Sequence, residues 1–312
     1  MRTLAGDQSV TEAAFEVTRA SIIEGLQRST LLITLLSLAI LLVGCGIPGV
    51  GTGGNGDPSG HVHIVGSTAL LPLVTQAADL FRQHYPGVKM DVAGGGSITG
   101  LKAVTNHQAD IGDSDIYADP ALYPDPNLTD HIVCVNTFAL IVDPHIPLSS
   151  LTTQQIIAIF TRKGLNWNMF GGPDLPVVPI IRPATSGTRA LFRKYVLGGI
   201  EESGHPLTTD SSTSVINTVA HTPGAIGYVT TVLVNHTVRM IGIDGVTPTL
   251  QHIKAGRYKF WGYEHMYTLE NGSNATTTFL DFMLTAEVQQ LAQQLGYLPV
   301  SAIAGTAAQA GA

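Results

Sequence analysis

Three segments of the sequence place glycine, serine or threonine directly before a stretch that predicts a helix. They are residues 66–69 (Gly-Ser-Thr-Ala), 94–97 (Gly-Gly-Gly-Ser) and 182–188 (Arg-Pro-Ala-Thr-Ser-Gly-Thr). Each segment would leave free backbone N–H groups at the positive end of a helix dipole, and its hydroxyl groups add further donors. One such turn is weak support, because serine and threonine cap helices in many proteins. Three of them, one containing Arg182, predict a site for a small tetrahedral anion.

Two aspartates, Asp113 and Asp115, bear on which anion such a site would accept. A carboxylate repels a fully ionised anion, but it accepts a hydrogen bond from a protonated one such as HPO₄²⁻. Sulfate has no proton to donate near neutral pH, so an aspartate in the pocket would admit phosphate and reject sulfate. The sequence leaves a second interpretation equally open, in which both aspartates lie in a solvated turn.

Predicted strands and helices alternate along the chain, which is typical of an α/β architecture. The predicted strands are 62–65, 88–92, 109–112, 132–142, 177–181 and 225–229. The predicted helices are 70–85, 97–107, 152–160, 188–197 and 212–220, with one or two more within 275–295. Each of the three turns therefore joins a strand to the helix that follows it.

Composition limits the classes of partner. The chain has 312 residues, 44% hydrophobic and 12% charged, which is enough apolar material for one or two packed domains. Its formal net charge is −7 and it has no run of lysine or arginine, so nucleic acid and acidic membrane surfaces are not expected as partners. A small anion needs only a few local donors and is compatible with this charge.

Cysteine and histidine are too scattered to predict a metal site. Cys134 lies in a strand-like stretch and is expected to be a small buried hydrophobe. His61 and His63 would share one face of a strand, but the sequence shows no carboxylate partner, so we expect them at the surface. We expect no metal and no cofactor.

The N-terminal region predicts export. The apolar run 31–43 would span only ~20 Å as a helix, short of the ~30 Å hydrocarbon core of a bilayer, so it suits a signal peptide. It leads into Leu-Val-Gly-Cys at 42–45, which resembles the lipobox of bacterial lipoproteins and implies that Cys45 is acylated. Because residues 1–28 are long and acidic for a leader, an uncleaved membrane anchor remains the alternative.

Residues 61 to about 300 resemble the PstS-like phosphate-binding proteins of ABC-type phosphate transporters, within the type 2 periplasmic binding protein superfamily. The order and spacing of several segments carry the resemblance. They are 66–73, 94–97, 109–112, 159–160, 166–167, 171–173, 182–189, 222–229 and 245–249. Among them, Arg-Pro-Ala-Thr-Ser-Gly-Thr-Arg at 182–189 is the most specific.

The resemblance implies a phosphate pocket built from the turns described above. The Ala69 backbone N–H and hydroxyl side chains would bind phosphate oxygens, Arg182 would add charge-assisted hydrogen bonds, and Asp115 would accept a phosphate proton. Some family members have a second aspartate two residues after the arginine, where this chain has Ala184 and so lacks a partner that would orient Arg182. The implied binding residues are Ser67, Thr68, Ala69, Ser97, Asp115, Arg182, Ser186, Gly187 and Thr188.

The resemblance also implies a two-lobed α/β fold with the ligand cleft between the lobes and a two-stranded hinge. We expect the chain to cross between lobes near 136–141 and to return near 229–238. The expected divisions are a signal peptide (1–45), a glycine-rich flexible tether (46–60), lobe one (61–138 plus 236–303), lobe two (139–235) and a disordered tail (304–312).

The implied function is capture of inorganic phosphate outside the cytoplasm and delivery to an ABC permease, by a monomer that is held at the membrane through Cys45. One alternative is a binding protein for another oxyanion such as sulfate, molybdate or tungstate. A second is a phosphate-ester hydrolase with Ser186 or Thr188 as nucleophile, although this needs a nearby base and usually a metal. We expect no enzyme activity. A third is a phosphate-sensing or adhesive surface protein that serves no transporter.

Overall fold

The structure is a computed structural model that describes residues 57–204, 206–269 and 272–306. The predicted signal peptide (1–45) with Cys45, the tether up to residue 56 and the tail from residue 307 lie outside the described residues. Within the described ranges, no helix is both long and apolar enough to cross a membrane.

The described residues form alternating strands and helices, as the sequence predicts. The strands are β1 (Gly60–Gly66), β2 (Val88–Gly94), β3 (Ile111–Ser114), β4 (Leu128–Val142), β5 (Ser150–Leu151), β6 (Val178–Ile181), β7 (Leu207–Thr208), β8 (Ala225–Thr230), β9 (Arg239–Ile243) and β10 (Trp261–Leu269). The helices are α1 (Leu71–His84), α2 (Ser97–Thr105), α3 (Thr153–Thr161), α4 (Gly187–Tyr195), α5 (Ser212–His221), α6 (Leu250–Lys254), α7 (Asn274–Met283) and α8 (Ala286–Leu295). Short 3₁₀ helices lie at Trp167–Phe170, Thr231–Leu233 and Val300–Ala302.

One part of the sheet has the strand order β2-β1-β3-β10-β4, and we call this part, with the helices packed on it, the first half of the molecule. The β1 strand is parallel to both β2 and β3, whereas β10 runs antiparallel to β3 and β4. Helix α1 packs on this half through residues at helical spacing, which are Leu73, Val74, Ala77, Ala78 and Phe81. Strand β1 begins at Gly60, which pairs with Val88, so the sheet starts at the last residue of the expected tether (46–60).

Strand β4 joins the two halves. Its first part pairs with β10 as far as Thr137, opposite Trp261, and its last part, from Phe138 to Val142, pairs with β8. The second half comprises this last part of β4 together with β8, β6 and β7 on one side and β9 and β5 on the other. The predicted crossing near 136–141 coincides with this exchange of partners.

The return of the chain differs from the expected position near 229–238. Strand β9 pairs with β4, with Ile241 opposite Leu140, and with β5, with Gly242 opposite Ser150. Residues 239–243 therefore belong to the second half, because that is where their backbone hydrogen bonds are satisfied. The chain rejoins the first half where β10 begins at Trp261.

Strand β10 was not among the predicted elements, although it is central to the first half. Residues Trp261 to Thr268 are all buried, so the strand has no exposed face that would produce an alternating pattern. Next to it, Cys134 of β4 is fully buried, which confirms the expectation that it is a small core residue. Burial among acidic neighbours, chiefly Glu264 and Asp113, raises the pKa of its thiol well above the ordinary value.

Candidate anion-binding site

The first predicted turn follows β1 and leads into α1. The Ser67 hydroxyl oxygen accepts hydrogen bonds from the backbone N–H groups of Ala69 (3.0 Å) and Leu70 (3.1 Å). Its proton is donated to Oδ1 of Asp115. Ser67 thus closes the turn and links it to the end of β3, while the Ala69 N–H is engaged within the turn itself.

Arg182 lies at the end of β6, and its side chain is almost completely buried, with 1% exposure. Its guanidinium donates to Thr68 Oγ1 (3.0 Å), to Ser212 Oγ (3.2 Å) and to the backbone oxygen of Asp210 (3.1 Å). The Nε donor has no hydrogen-bond partner among the described residues. Burial lowers the pKa of Arg182, and the nearby Asp115 carboxylate opposes that shift. Arginine still remains a cation at every accessible pH.

Asp115 is the second charged group of the site, and only 3% of it is exposed. Its Oδ2 accepts a hydrogen bond from Thr188 Oγ1 (2.7 Å), and its backbone N–H donates to Ser97 Oγ (2.9 Å). Asp113 is 1% exposed, and burial followed by the charge of Asp115 raises its pKa well above the ordinary value. The interpretation of these aspartates as part of a solvated turn is therefore wrong.

The second and third turns contact each other directly. The backbone N–H of Ile98 donates to the backbone oxygen of Thr185 at 3.0 Å. A Cβ at Gly96 would lie 2.6 Å from that same oxygen, and a Cβ at Gly187 would overlap Ser97 Oγ. Only glycine at both positions allows this close approach of the two halves. Ser186 caps α4, because its Oγ accepts from the backbone N–H of Arg189 at 3.2 Å.

All nine predicted residues therefore lie in one buried cluster, but sequence reasoning missed two members of it. The Ser212 N–H donates to Thr68 Oγ1 (3.2 Å), and its hydroxyl contacts both Thr68 Oγ1 (3.0 Å) and Arg182. Asp210 contributes its backbone oxygen to Arg182. The signal was present: residues 209–212 (Thr-Asp-Ser-Ser) precede α5 in the same way that the three predicted turns precede their helices.

A second layer of contacts holds Arg182 in place. Arg189 donates to the backbone oxygen of Arg182 (3.0 Å) and to the carboxylate of Glu202 (3.0 Å), whose side chain is fully buried. The backbone N–H of Arg182 donates to the Tyr228 hydroxyl at 3.3 Å, and the Tyr228 ring stacks on Phe192. These contacts, with Ser212 and Asp210, position the arginine although Ala184 offers no carboxylate.

The arrangement suits a small anion that brings its own proton. It combines one buried cation, several hydroxyl donors and one carboxylate acceptor in a volume shielded from water, where such interactions are strong. In the part of the chain that the structure describes, no group of three or more histidine, cysteine or acidic side chains could hold a metal ion. His61, which we expected to lack a carboxylate partner, forms an exposed pair with Asp91 at 2.7 Å.

Comparison with known proteins identifies the class of protein to which this chain belongs. A family model described as a PBP superfamily domain matches residues 52–287. A solved structure from Clostridium perfringens, described as a phosphate ABC transporter substrate-binding protein with bound phosphate, is 27% identical with a TM-score of 0.73, and the match covers 77% of this chain and 100% of that one. A phosphate transport receptor structure from Vibrio cholerae, 23% identical with a TM-score of 0.62 over 76% and 99% of the two chains, shares the fold. The predicted type 2 periplasmic-binding-protein fold is confirmed.

The curated relatives give the family within that class. The phosphate-binding protein PstS of Bacillus subtilis is 35% identical over 288 residues, which cover 88% of this chain and 96% of the relative. PstS of Pseudomonas aeruginosa is 25% identical over 273 residues, covering 78% and 84% respectively. The chain belongs to the PstS family of substrate-binding proteins, as its motifs predict.

Proposed function

We propose that this protein binds inorganic phosphate between the two halves of the molecule and delivers it to an ABC-type permease. One observation carries the proposal. The guanidinium of Arg182 is buried, faces hydroxyl groups from both halves, and keeps an Nε donor without a partner among the described residues. A buried cation with unused hydrogen-bonding capacity is stabilised when an anion accepts its remaining hydrogen bonds.

The roles of the other residues follow from their positions. The hydroxyl groups of Thr68, Ser97 and Thr188 turn away from their present hydrogen-bond partners in the cluster and donate to phosphate oxygens instead. The N–H groups at the starts of α1 and α4 add donors at positive helix ends, among them that of Gly187 and, once it leaves Ser67 Oγ for the ligand, that of Ala69. Ser67 and Ser186 support these turns as well as offering hydroxyl groups to the ligand.

Asp115 supplies the selectivity. Its carboxylate is buried beside Arg182 and accepts hydrogen bonds from hydroxyl groups, so it accepts one equally well from protonated phosphate. Sulfate or molybdate would place an unprotonated oxygen against the Asp115 carboxylate, and neither group could then donate a hydrogen bond to the other. We therefore favour phosphate over the other oxyanions.

Competitive calorimetry tests the binding proposal directly. The purified full chain is titrated with phosphate, sulfate and molybdate at pH 7. We expect tight binding of phosphate and at least about 100-fold weaker binding of the other two, because a buried unpaired acceptor costs about 1–3 kcal/mol on each side of the contact. Equal or tighter binding of sulfate would reject phosphate as the specific ligand.

The division into lobes, the monomeric state and the lipid anchor belong to the same proposal. The exchange of partners along β4 supports a hinge there, and we now place the return crossing near Trp261. Cys45 would carry a lipid that holds the protein outside the cytoplasm, near its permease. A Cys45→Ala variant should appear in the soluble fraction or keep its leader uncleaved. A processed variant that stays in the membrane fraction would contradict lipidation.

We further propose that the protein is not an enzyme. The Ser186 oxygen is engaged as a helix cap, and the hydroxyl groups of Thr188 and Ser67 both donate hydrogen bonds to Asp115. Membership of a family of substrate-binding proteins supports this proposal. Assays with a chromogenic phosphate ester, with and without divalent metal, should show no turnover above the level of an Arg182→Ala control.

A further inference from the structure

A second buried carboxyl group, that of Glu264, lies beside Asp115. Strand β10 pairs antiparallel with β3, with His265 opposite Ser114, so continuing this register by one position brings Glu264 opposite Asp115, just beyond the end of β3. Residues directly opposite in adjacent strands project to the same face of a sheet. Glu264 is fully buried, and the charge of the neighbouring Asp115 acts on its carboxyl group.

The remaining contacts of Glu264 decide which of its oxygens carries a proton. Thr230 Oγ1 accepts from the backbone N–H of Val232 (3.3 Å), which leaves its own proton to donate to Asn136 Oδ1 (2.7 Å). This orients the Asn136 amide so that its Nδ2 donates to Glu264 Oε1 at 2.6 Å. Oε1 is therefore an acceptor. Oε2 receives no hydrogen bond from any donor in the described part of the chain, so it is the oxygen that can hold a proton.

The surroundings of Glu264 favour the protonated form. The ionisable groups that face it are Asp115 and Asp113 at the end of β3, Cys134 of β4 and Tyr297 after α8. None of these four groups can carry a positive charge. Burial and the charge of Asp115 raise the pKa of Glu264 well above its usual value, and the Asn136 hydrogen bond opposes this only in part. Two carboxyl groups in such a setting share one proton rather than both ionising.

We infer that Glu264 is a positioning and specificity-determining residue of the anion site, a neutral carboxylic acid whose Oε2–H donates to the Asp115 carboxylate. This inference rests on the proposed function. The donated hydrogen bond holds the Asp115 carboxylate in place and aimed at the ligand, so that it can accept a hydrogen bond from phosphate. The chain Thr230–Asn136–Glu264–Asp115 also ties this carboxylate to the point where β4 changes partners.

Infrared spectroscopy of the full chain tests the protonation state without relying on any ligand. At pH 7 the wild-type protein should show a C=O band of a protonated carboxyl group that disappears in Glu264→Gln. The matched control is Asp113→Asn, which removes the other buried carboxyl group of raised pKa and should leave that band in place. Absence of a band that depends on Glu264 would overturn the inference, whether or not phosphate binds.

Binding measurements test the positioning role. Glutamine keeps an N–H donor at position 264, whereas leucine keeps the size and removes the donor. We expect Glu264→Gln to bind phosphate within about threefold of wild type, and Glu264→Leu to lose at least about tenfold, with a smaller preference for phosphate over sulfate. Equal losses in the two folded variants would overturn the positioning role. Failure of the wild-type protein to bind phosphate would instead reject the proposed function and leave the infrared result standing.

Discussion

Gly187 at the start of α4 faces the hydroxyl group of Ser97 so closely that a methyl group at position 187 would overlap Ser97 Oγ and lie 2.9 Å from the Asp115 Cβ. The two residues come from different halves of the molecule. This contact therefore limits how closely the two halves can approach each other. A larger side chain at position 187 would hold them further apart.

A Gly187→Ala substitution should weaken phosphate binding by about 10–100-fold. The added methyl group forces the two halves apart where they meet at the site, which costs about 1–3 kcal/mol of binding free energy. The dissociation constant should rise while the melting temperature of the free protein changes little. Gly87→Ala is the control, since a Cβ there would meet its nearest atoms only at 3.4 Å. Unchanged affinity in Gly187→Ala would mean that phosphate binds without this contact.

Arg182→Ala should reduce phosphate affinity by more than about 100-fold. The substitution removes the buried cation of the site and leaves Asp115 as an uncompensated negative charge, and losses of this kind amount to about 2–5 kcal/mol. Arg182→Lys should retain part of the affinity, because it keeps the charge but loses the forked donor geometry. The exposed Arg257 provides the control, and Arg257→Ala should bind phosphate normally.

Asp115→Asn should narrow the difference between phosphate and sulfate. The amide can donate to a sulfate oxygen where the carboxylate could not, so sulfate affinity should rise by at least about tenfold while phosphate affinity falls. The comparison is made by calorimetry with both anions at one pH. Asp119→Asn serves as control, because Asp119 is exposed and its side chain only accepts from the nearby backbone N–H of Ala121. An unaltered ratio of affinities would exclude Asp115 as the selectivity determinant.

Glu202→Gln should destabilise the protein in a pH-dependent way. Burial raises the pKa of Glu202, but hydrogen bonds from Arg189 and Arg193 outweigh it and lower the pKa overall. A lowered pKa contributes stability that is present above the ordinary value of about 4.3 and is lost as the pH falls through the folded-state value. The variant should lose about 1–3 kcal/mol of unfolding free energy at pH 7 and approach the wild type in acid.

The matched control for this experiment is Glu201→Gln. Glu201 contacts Arg193 at 2.9 Å, but its side chain is 79% exposed, so water and salt screen the pair. Exposed ion pairs contribute about 0–1 kcal/mol, and this variant should melt close to the wild type at every pH. Equal effects of the two substitutions would show that burial of Glu202 has no energetic consequence.

The turns of the site could be predicted from sequence because their chemistry is local. Glycine, serine and threonine before a helix have the same meaning whatever the rest of the chain does, and Thr152 shows this for α3, where it forms a capping box with Gln155. The burial of Asp115 was harder to predict, because it depends on the neighbouring strand. Ser212 was missed because its turn, Thr-Asp-Ser-Ser, lacks the glycine that all three predicted turns contain.

Features that depend on distant parts of the chain could not be predicted in this way. The Trp261–Leu269 strand contains glycine, glutamate and histidine and is buried on both faces, so neither alternation nor a run of β-branched residues marks it. The pairing of Ile241 with Leu140 likewise results from sheet topology rather than from local pattern. Glu264 could be interpreted only after its strand had been located.

The late position of β10 in the chain also has a kinetic consequence. This strand lies between β3, which ends at Ser114, and β4, yet it begins only at Trp261. The first half therefore cannot complete its sheet until the second half and β10 have been synthesised, and long loops must close before these pairings form. Pairings between such distant segments favour slow folding. A polypeptide that ends before residue 261 would leave β3 and β4 without the strand that lies between them.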